Sequence, residues 1–286
     1  MAKSPSHQLG EAIGDNFELM MINYLRPYVE AKGLYLDYRH PRDARDGAKE
    51  VTGIDGNGNK HKLDIVIEEN GSETVMGKPK AFIEMAWRRY KKHSKNKVQE
   101  ISGAIIPLID KYADEMPFYS AVLSGDFTPN SIVQLESQGF HVLYFTYEEM
   151  CALYESIGIS IRTEEYTSER ELTEIAGRVV SLTEREKHQL QQSFEEAFVD
   201  RLTSYRDALI RVLAQHITEI VIIPMHGAST LLSTVDEAVN FIMKYDESTN
   251  EPIMCYEIIV RYNTEVEYKM RCKDKRMAIQ FLNRYK

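Results

Sequence analysis

The sequence predicts an α/β protein in which an α/β core is followed by a long helix and a small α+β segment. Two patterns support this prediction. Apolar residues three or four apart mark helices, whereas short β-branched and aromatic runs between Gly, Asn or Ser turns mark strands. Over residues 7–158 these patterns follow one another in the order α-β-β-β-α-β-α-β-α. An order of this kind favours a sheet with helices packed against it.

The core elements follow from local signals along residues 7–158. An amphipathic helix comes first and ends before Gly33. A Gly-rich stretch at 53–60 predicts a hairpin turn, and apolar runs at 63–67 and 81–87 predict strands. Ser94 is expected to cap a helix, and two further strands with short helices behind them complete the core.

Beyond residue 159 the sequence changes character. A charged stretch without periodicity reads as a linker, and Ser181 with Glu184, at capping-box spacing, predicts the start of one long helix that reaches about His216. The apolar stripe of that helix needs a partner, either this chain or a second copy. The remaining residues predict the order β-α-β-β-α. The expected division is therefore 1–160, 161–217 and 218–286.

Composition limits the classes of protein that this chain can belong to. No apolar run reaches the length needed to span a bilayer, and no apolar leader begins the chain. The three cysteines are odd in number and lack CxxC spacing, which argues against disulfides and a structural zinc site. We therefore expect a cytoplasmic protein with no membrane partner. The formal charge of −9 means that any contact with nucleic acid must be local.

Two carboxylates in apolar strands give the strongest functional signal. Asp64 and Glu84 each interrupt a hydrophobic run, where a charge is costly unless it is paired or binds a metal. If the two strands are neighbours, both side chains can point to one place. Two carboxylates with water suffice as ligands for Mg²⁺. The alternative interpretation is that each acid faces solvent at a strand end.

A basic segment immediately surrounds and follows Glu84. Residues 78–97 contain eight Lys and Arg against one carboxylate, in a chain whose net charge is negative. Carboxylates can bind a metal cation, and nearby Lys and Arg side chains can bind a phosphate backbone. The two together indicate a metal-dependent phosphodiesterase. A charged loop that only keeps the protein soluble is the other interpretation.

The order αβββαβ, with Asp on one strand and Glu on the next, resembles the PD-(D/E)XK superfamily of restriction-endonuclease-like nucleases. Asp64 stands where that family often has Pro-Asp, and 84–86 stands where it has Asp/Glu-x-Lys. The resemblance covers roughly residues 7–158. It implies a restriction-endonuclease-like core, and a metal site of Asp64 and Glu84 joined by Glu18, with Glu11 as the less favoured alternative.

The family lysine is missing, because Ala86 occupies its position. In the family that lysine orients or activates the attacking water. Lys97, at the start of the next helix, is our first choice for a replacement. Arg88 and Lys92 are further candidates, and Gln99 is a candidate to hold water.

The resemblance implies a Mg²⁺-dependent endonuclease of double-stranded DNA in restriction or antiviral defence, with Mn²⁺ able to substitute. Cleavage of both strands implies a homodimer, or a subunit of a larger defence complex. Expected contacts to the DNA backbone are Arg88, Arg89, Lys91, Lys92 and Lys95. Two alternatives stay open: a nuclease-fold subunit that binds DNA or a partner without cutting, and an enzyme for RNA or branched DNA.

Overall fold

The α/β architecture predicted from the sequence is present in the computed structural model, which describes residues 4–91, 94–224, 228–248 and 255–285. The chain divides into two compact units between Ile210 and Arg211. Elements up to this boundary, the last of which crosses it, are α1 (Pro5–Glu30), β1 (Tyr35–Tyr38), β2 (Val51–Ile54), β3 (Lys60–Leu63), β4 (Ile65–Glu69), β5 (Lys78–Arg88), α2 (Ser94–Lys111), β6 (Phe118–Gly125), α3 (Pro129–Ser137), β7 (His141–Thr146), α4 (Tyr147–Glu155), α5 (Glu169–Val180), α6 (Glu184–Ala197) and α7 (Val199–Leu213).

The main sheet of the first unit is mixed, with the strand order β1-β4-β5-β6-β7. β4 runs antiparallel to both β1 and β5, whereas β5, β6 and β7 are mutually parallel. The predicted hairpin at 53–60 is present as β2 and β3, but these strands form a separate two-stranded sheet. β1 was not predicted, because Asp37 interrupts its four residues and hides the apolar pattern.

Helices cover both faces of the main sheet. On one face, Phe17 of α1 packs edge-on against Phe145 of β7, with ring centroids 5.6 Å apart. On the other face, the apolar side of α2 joins Phe82 and Leu123 in a buried cluster. Ser94 is the first residue of α2, and its hydroxyl donates to the Lys91 carbonyl rather than capping the helix. The sheet, with α2 packed against it, therefore holds the polar side chains of β5 and α2 in fixed positions.

The single long helix predicted from Ser181 is wrong. Thr183 and Glu186 form the capping box that starts α6, and Phe198 leaves helical geometry between α6 and α7. This break lets Phe194 and Phe198 pack on Phe145, at 5.3 and 4.8 Å between centroids. The apolar stripe of these helices is thus buried within its own chain, which was one of the two alternatives.

The second unit contains β8 (Ile217–Pro224), β9 (Thr230–Leu232), α8 (Val235–Lys244), β10 (Tyr256–Tyr262), β11 (Glu267–Cys272) and α9 (Lys275–Leu282). Its antiparallel sheet has the order β11-β10-β8-β9, so the structure adds β9 to the predicted β-α-β-β-α order. Within the described ranges, no helix combines the length and the apolar character needed to cross a membrane.

Candidate active site

Asp64 and Glu84 lie side by side in the first unit. Glu84 is in the middle of β5 and only 5% exposed. Asp64 is not inside a strand as predicted, because the chain bends there between β3 and β4. The Met85 amide donates to Asp64 Oδ2 at 2.7 Å, and the Asp64 amide lies 3.4 Å from Glu84 Oε1. Asp64 thus accepts a hydrogen bond from the amide that follows Glu84, and the amide of Asp64 lies close to the Glu84 carboxylate. These contacts hold the two acids together.

Burial makes both carboxylates difficult to ionise. Loss of hydration raises the pKa of Glu84 well above its usual range, and the charge of Asp64 raises it further. The pKa of Asp64 is raised by the same loss of hydration, although the Met85 amide opposes the shift. Among the described residues, no Lys, Arg or His lies within ion-pairing distance of either acid. This arrangement is electrostatically incomplete, and a bound cation would complete it.

Glu18 faces the same region from α1. Burial, followed by the charges of Asp64 and Asp15, raises its pKa to about 8. In the part of the chain that the structure describes, no three acidic, His or Cys side chains are close enough together to hold a metal ion. Glu18 therefore does not complete a preformed three-carboxylate site. Glu11, the alternative, lies 3.5 Å from His7 on an exposed part of α1.

Lys97 is the predicted cation that acts on both acids. It lies in the first turn of α2 with its side chain 19% exposed, and its charge lowers the pKa of Asp64 and of Glu84. Its ammonium is also 3.9 Å from Glu100. The first turn of α2 thus brings a positive charge close to the carboxylate pair.

The Arg88 guanidinium makes contacts away from the two acids. One of its guanidinium nitrogens donates to the Trp87 carbonyl at 2.9 Å, and another lies 3.8 Å from Glu100. Burial lowers the pKa of Arg88. Ala86 is buried and follows Glu84 by two residues, so both lie on the same face of β5.

The other predicted contacts differ in their surroundings. The Arg89 guanidinium donates to the Thr163 hydroxyl at 3.0 Å and to the Tyr90 hydroxyl, and it also stacks over the Tyr90 ring. Lys91, Lys95 and Gln99 are exposed. Lys92 lies outside the described residues. Arg89 is therefore part of the framework, whereas Lys91 and Lys95 face solvent.

A cleft of about 710 Å³ opens beside the acids. Met85 and Ala86 of β5, Glu18 of α1 and Lys97 of α2 line it, whereas Asp64 and Glu84 are not among its lining residues. The cleft adjoins the carboxylate pair because Met85, which lines it, directly follows Glu84 in β5 and donates its amide to Asp64. The arrangement can place a cation and a phosphate next to each other.

A second group of buried charges was missed by sequence reasoning. Arg42 is fully buried, contacts Glu68 with two nitrogens at 2.8 and 3.2 Å, and lies 2.7 Å from Asp37. The guanidinium also donates to the carbonyls of Ser72 and Val75. Asp37 and Glu68 interrupt apolar runs of the sequence just as Asp64 and Glu84 do. The signal was present in the sequence, but it does not distinguish paired acids from unpaired ones.

Comparison with known proteins gives little further information. No protein-family profile matches the sequence, and no curated protein matches it. A solved structure described as "Protein of Unknown Function AF1548" aligns over 63% of this chain and 96% of its own, with 11% identity and a TM-score of 0.31.

Proposed function

We propose that this chain is a metal-dependent endonuclease that hydrolyses DNA phosphodiesters. The observation that supports the proposal most directly is the pair formed by Asp64 and Glu84. Glu84 is buried and Asp64 is partly buried, both have raised pKa values, and the charge of Lys97 acts on both of them. Functional sites are where such energetically unfavourable groupings are retained.

The connectivity around this pair supports the resemblance to PD-(D/E)XK nucleases. A helix, three antiparallel strands, a helix and a parallel strand correspond to α1, β1-β4-β5, α2 and β6. The two acids sit at the start of β4 and within β5, which are the neighbouring strands that the family uses. The restriction-endonuclease-like core remains part of this proposal.

The donor chemistry fits Mg²⁺. Asp64 and Glu84 present carboxylate oxygens, which are the ligands that this hard cation prefers, and water would fill the remaining positions. The ion would supply charge neutralisation at the phosphate and an acidified water. Mn²⁺ would bind the same oxygens. Glu18 faces the same region from α1, although among the described residues it forms no three-carboxylate group with this pair.

Lys97 would perform the role of the lysine missing at Ala86. Its ammonium would hold the attacking water or a non-bridging phosphate oxygen, and its charge would stabilise the negative charge that develops there. Arg88 suits this role less, because its guanidinium donates to the Trp87 carbonyl, whereas the charge of Lys97 acts on both acids.

The expected setting of the enzyme is also a proposal. Lys91 and Lys95 are exposed and follow or precede the cleft residues Tyr90 and Asn96 in the sequence, so they are suited to the phosphate backbone. Double-stranded DNA is the substrate that the family implies. A two-fold dimer, or a place in a larger defence assembly, would put two sites on the two strands. The composition favours the cytoplasm.

The first test is cleavage of plasmid DNA by Asp64→Asn and Glu84→Gln proteins in Mg²⁺ or Mn²⁺. Removal of a carboxylate that holds a catalytic ion is expected to reduce the rate by about 1,000-fold or more. Asp110→Asn, an exposed carboxylate at the far end of α2, is the matched control and should cut normally. Undiminished cleavage by both site variants would refute the proposal.

The second test concerns the cation. Lys97→Met should lower the rate by about 100-fold or more while leaving plasmid binding nearly unchanged, because the lysine acts mainly in the transition state. Lys60→Met, on exposed β3, controls for loss of one positive charge. If Arg88→Met lowers the rate and Lys97→Met does not, the replacement lysine has been misassigned.

One observation favours a second candidate, a nuclease-fold subunit that binds DNA without cutting. Ala86 removes the family lysine, and Glu18 does not join a three-carboxylate group. Purified protein that is inert in both Mg²⁺ and Mn²⁺, yet binds DNA in a salt-sensitive manner, would favour this candidate.

A further inference from the structure

Asp64 lies where the pairing of three strands brings it next to a cation outside the basic segment. The register of β1 with β4 ends at the pair Tyr38 and Ile65, so the next position after β1 is Arg39, beside Asp64. In the register of β4 with β5, Glu84 takes the corresponding position on the other side. Neighbouring strands are about 4.8 Å apart, so the Arg39 backbone is about one strand spacing from Asp64.

The backbone around Arg39 is held in place, whereas its side chain is open to solvent. A guanidinium nitrogen of Arg45 donates to the His40 carbonyl at 2.7 Å and to the Tyr38 carbonyl at 3.3 Å. Arg45 is in turn paired with the buried Asp37. The Arg39 side chain is 61% exposed. The charges around Asp37 therefore fix the base of a side chain whose guanidinium is accessible to a ligand.

Glu50 links Arg39 to a second cation. The register of β2 with β3 places Glu50 opposite Asp64, one position beyond the last pair. One oxygen of the Glu50 carboxylate lies 3.7 Å from Arg39 Nε, and the other lies 3.2 Å from Lys62 Nζ. The charge of Glu50 also raises the pKa of Asp64, as expected for neighbouring carboxylates. Two exposed cations thus converge on one anion beside Asp64.

The Glu50 carboxylate is a partner that another anion can replace. Ion pairs between exposed side chains are weak, because water screens the charges and both side chains lose freedom. A phosphodiester carries the same charge as a carboxylate, and arginine binds either group through two parallel N–H donors. Lysine supplies a point charge to either group. A backbone phosphate can therefore take the position between the two cations.

We propose that Arg39 and Lys62 bind a phosphate of the DNA backbone beside Asp64, in the place that the Glu50 carboxylate takes in the free protein. This inference rests on the proposed nuclease function and adds a second contact for the same strand. Phosphates recur about every 3.4 Å of axial rise along one strand, so a phosphate held at Asp64 and Glu84 has a neighbour within reach of Arg39. Glu50 is then a competitor that DNA displaces.

Removal of both cations tests this site without catalysis. Arg39→Met combined with Lys62→Met should weaken binding of a fluorescent DNA duplex by about 10-fold, measured by anisotropy in EDTA at low salt. The slope of log affinity against log salt should fall by about 1. Arg170→Met combined with Lys187→Met is the matched control, because it also removes two exposed cations that each pair with a glutamate. Equal affinity of the two double variants, or a wild-type protein without salt-dependent binding, would overturn the inference.

Removal of the competing carboxylate should have the opposite effect. Glu50→Gln should tighten metal-free binding by about 3-fold or more, because both cations lose their competing anion. Glu174→Gln, which removes a carboxylate from the exposed pair with Arg170, should leave the affinity nearly unchanged. In the protein that lacks Arg39 and Lys62, Glu50→Gln should add little, because no cation remains for it to release. Tightening no greater than that of Glu174→Gln would mean that Glu50 forms ordinary surface ion pairs and would also overturn the inference.

The two proposals fail in different ways. If no substrate is cut, or if cleavage survives Asp64→Asn, the nuclease proposal fails, and the metal-free binding results still decide on Arg39 and Lys62. If cleavage depends on Asp64 but the two double variants bind equally, the nuclease proposal stands and the phosphate site fails. If Glu50→Gln loses Mg²⁺-dependent cleavage while its metal-free binding is unchanged, Glu50 is a ligand of the ion, and the inference is overturned.

Discussion

Two pairs of carboxylates at the main sheet have opposite environments. Asp37 and Glu68 are both nearly inaccessible, and Arg42 contacts both of them. Asp64 and Glu84 are close to each other without a cation at ion-pairing distance among the described residues. Carboxylates that interrupt similar apolar runs are therefore compensated in one place and left uncompensated in the other.

The compensated group is a structural device. Arg42 connects β1, β4 and the loop between β4 and β5, because it contacts Asp37 and Glu68 and also the Ser72 and Val75 carbonyls. Arg45 adds a second cation to Asp37. Paired in this way, the charges fix a loop, and of the two carboxylates only Asp37 Oδ1 is buried without a hydrogen-bond partner within the described residues.

The uncompensated pair has the opposite properties. Lys97 partly offsets the charge of Asp64 and Glu84, but burial still raises the pKa of both carboxyls. A buried acid in a strand is therefore not by itself a functional signal. The absence of a paired cation around it, within the described residues, is the more informative feature.

The largest expected effect is the loss of the compensating cation. Arg42→Met should lower the free energy of unfolding by about 3–5 kcal/mol, because Asp37 and Glu68 would stay buried without a partner. Urea unfolding followed by circular dichroism measures the change. Arg170→Met, which breaks an exposed pair with Glu174, should stay within about 0.5 kcal/mol of wild type. A similarly small change for Arg42→Met would show that Arg42 does not compensate the charges of Asp37 and Glu68.

Two matched substitutions should change stability in opposite directions. Glu84→Gln removes a charge that burial disfavours, so at pH 8 without metal the variant should be more stable than wild type. Glu68→Gln leaves Arg42 underpaired and should cost about 1–3 kcal/mol. Denaturant midpoints for both variants test this, and a loss of stability in Glu84→Gln at pH 8 would contradict our account of the site.

The stability of the protein should depend on pH in a specific direction. Because the pKa of Glu18 is raised to about 8, the folded state keeps a proton that the unfolded chain releases above about pH 4.5. Its stabilising contribution is present below that pH and is lost as the pH rises to about 8, and Asp64 and Glu84 act in the same direction.

The free energy of unfolding measured from pH 5 to pH 8 should therefore fall, and Glu18→Gln should flatten the decline. Mg²⁺ should oppose the decline at pH 8 in wild type and not in Glu84→Gln, because a cation stabilises the ionised carboxylates. A wild-type stability that rises steadily over this range would show that the acids are compensated in solution.

The smallest effect is expected from cations at the surface. Lys91→Ala with Lys95→Ala should leave stability unchanged and should reduce the slope of log affinity against log salt by about 1–2, because each exposed lysine accounts for at most one phosphate contact. Anisotropy titrations at several salt concentrations measure this slope. An unchanged slope would place the phosphate contacts elsewhere on the chain.

Part of the fold was predictable because its signals are local. Apolar periodicity indicated α1 and α2, and the Gly-rich turn indicated the β2-β3 hairpin. β1 was hidden by Asp37, whose burial depends on Arg42 and Arg45 from the following loop. The division of the one predicted helix into α6 and α7 was not visible in the sequence either. Phe198 is compatible with an unbroken helix, and the reason for the break is its tertiary contact with Phe145.

The amino-acid order alone shows that Asp64 and Glu84 interrupt apolar runs, that cations follow them, and that Ala86 replaces the expected lysine. It took the folded structure to show that these acids meet, that the charge of Lys97 acts on both of them, and that Arg42 compensates the other acidic pair. The physical reason is that residue type and spacing are local properties of the chain. Charge compensation depends on which side chains the fold brings within a few ångströms, and that distance is set by β5, α1 and α2 together.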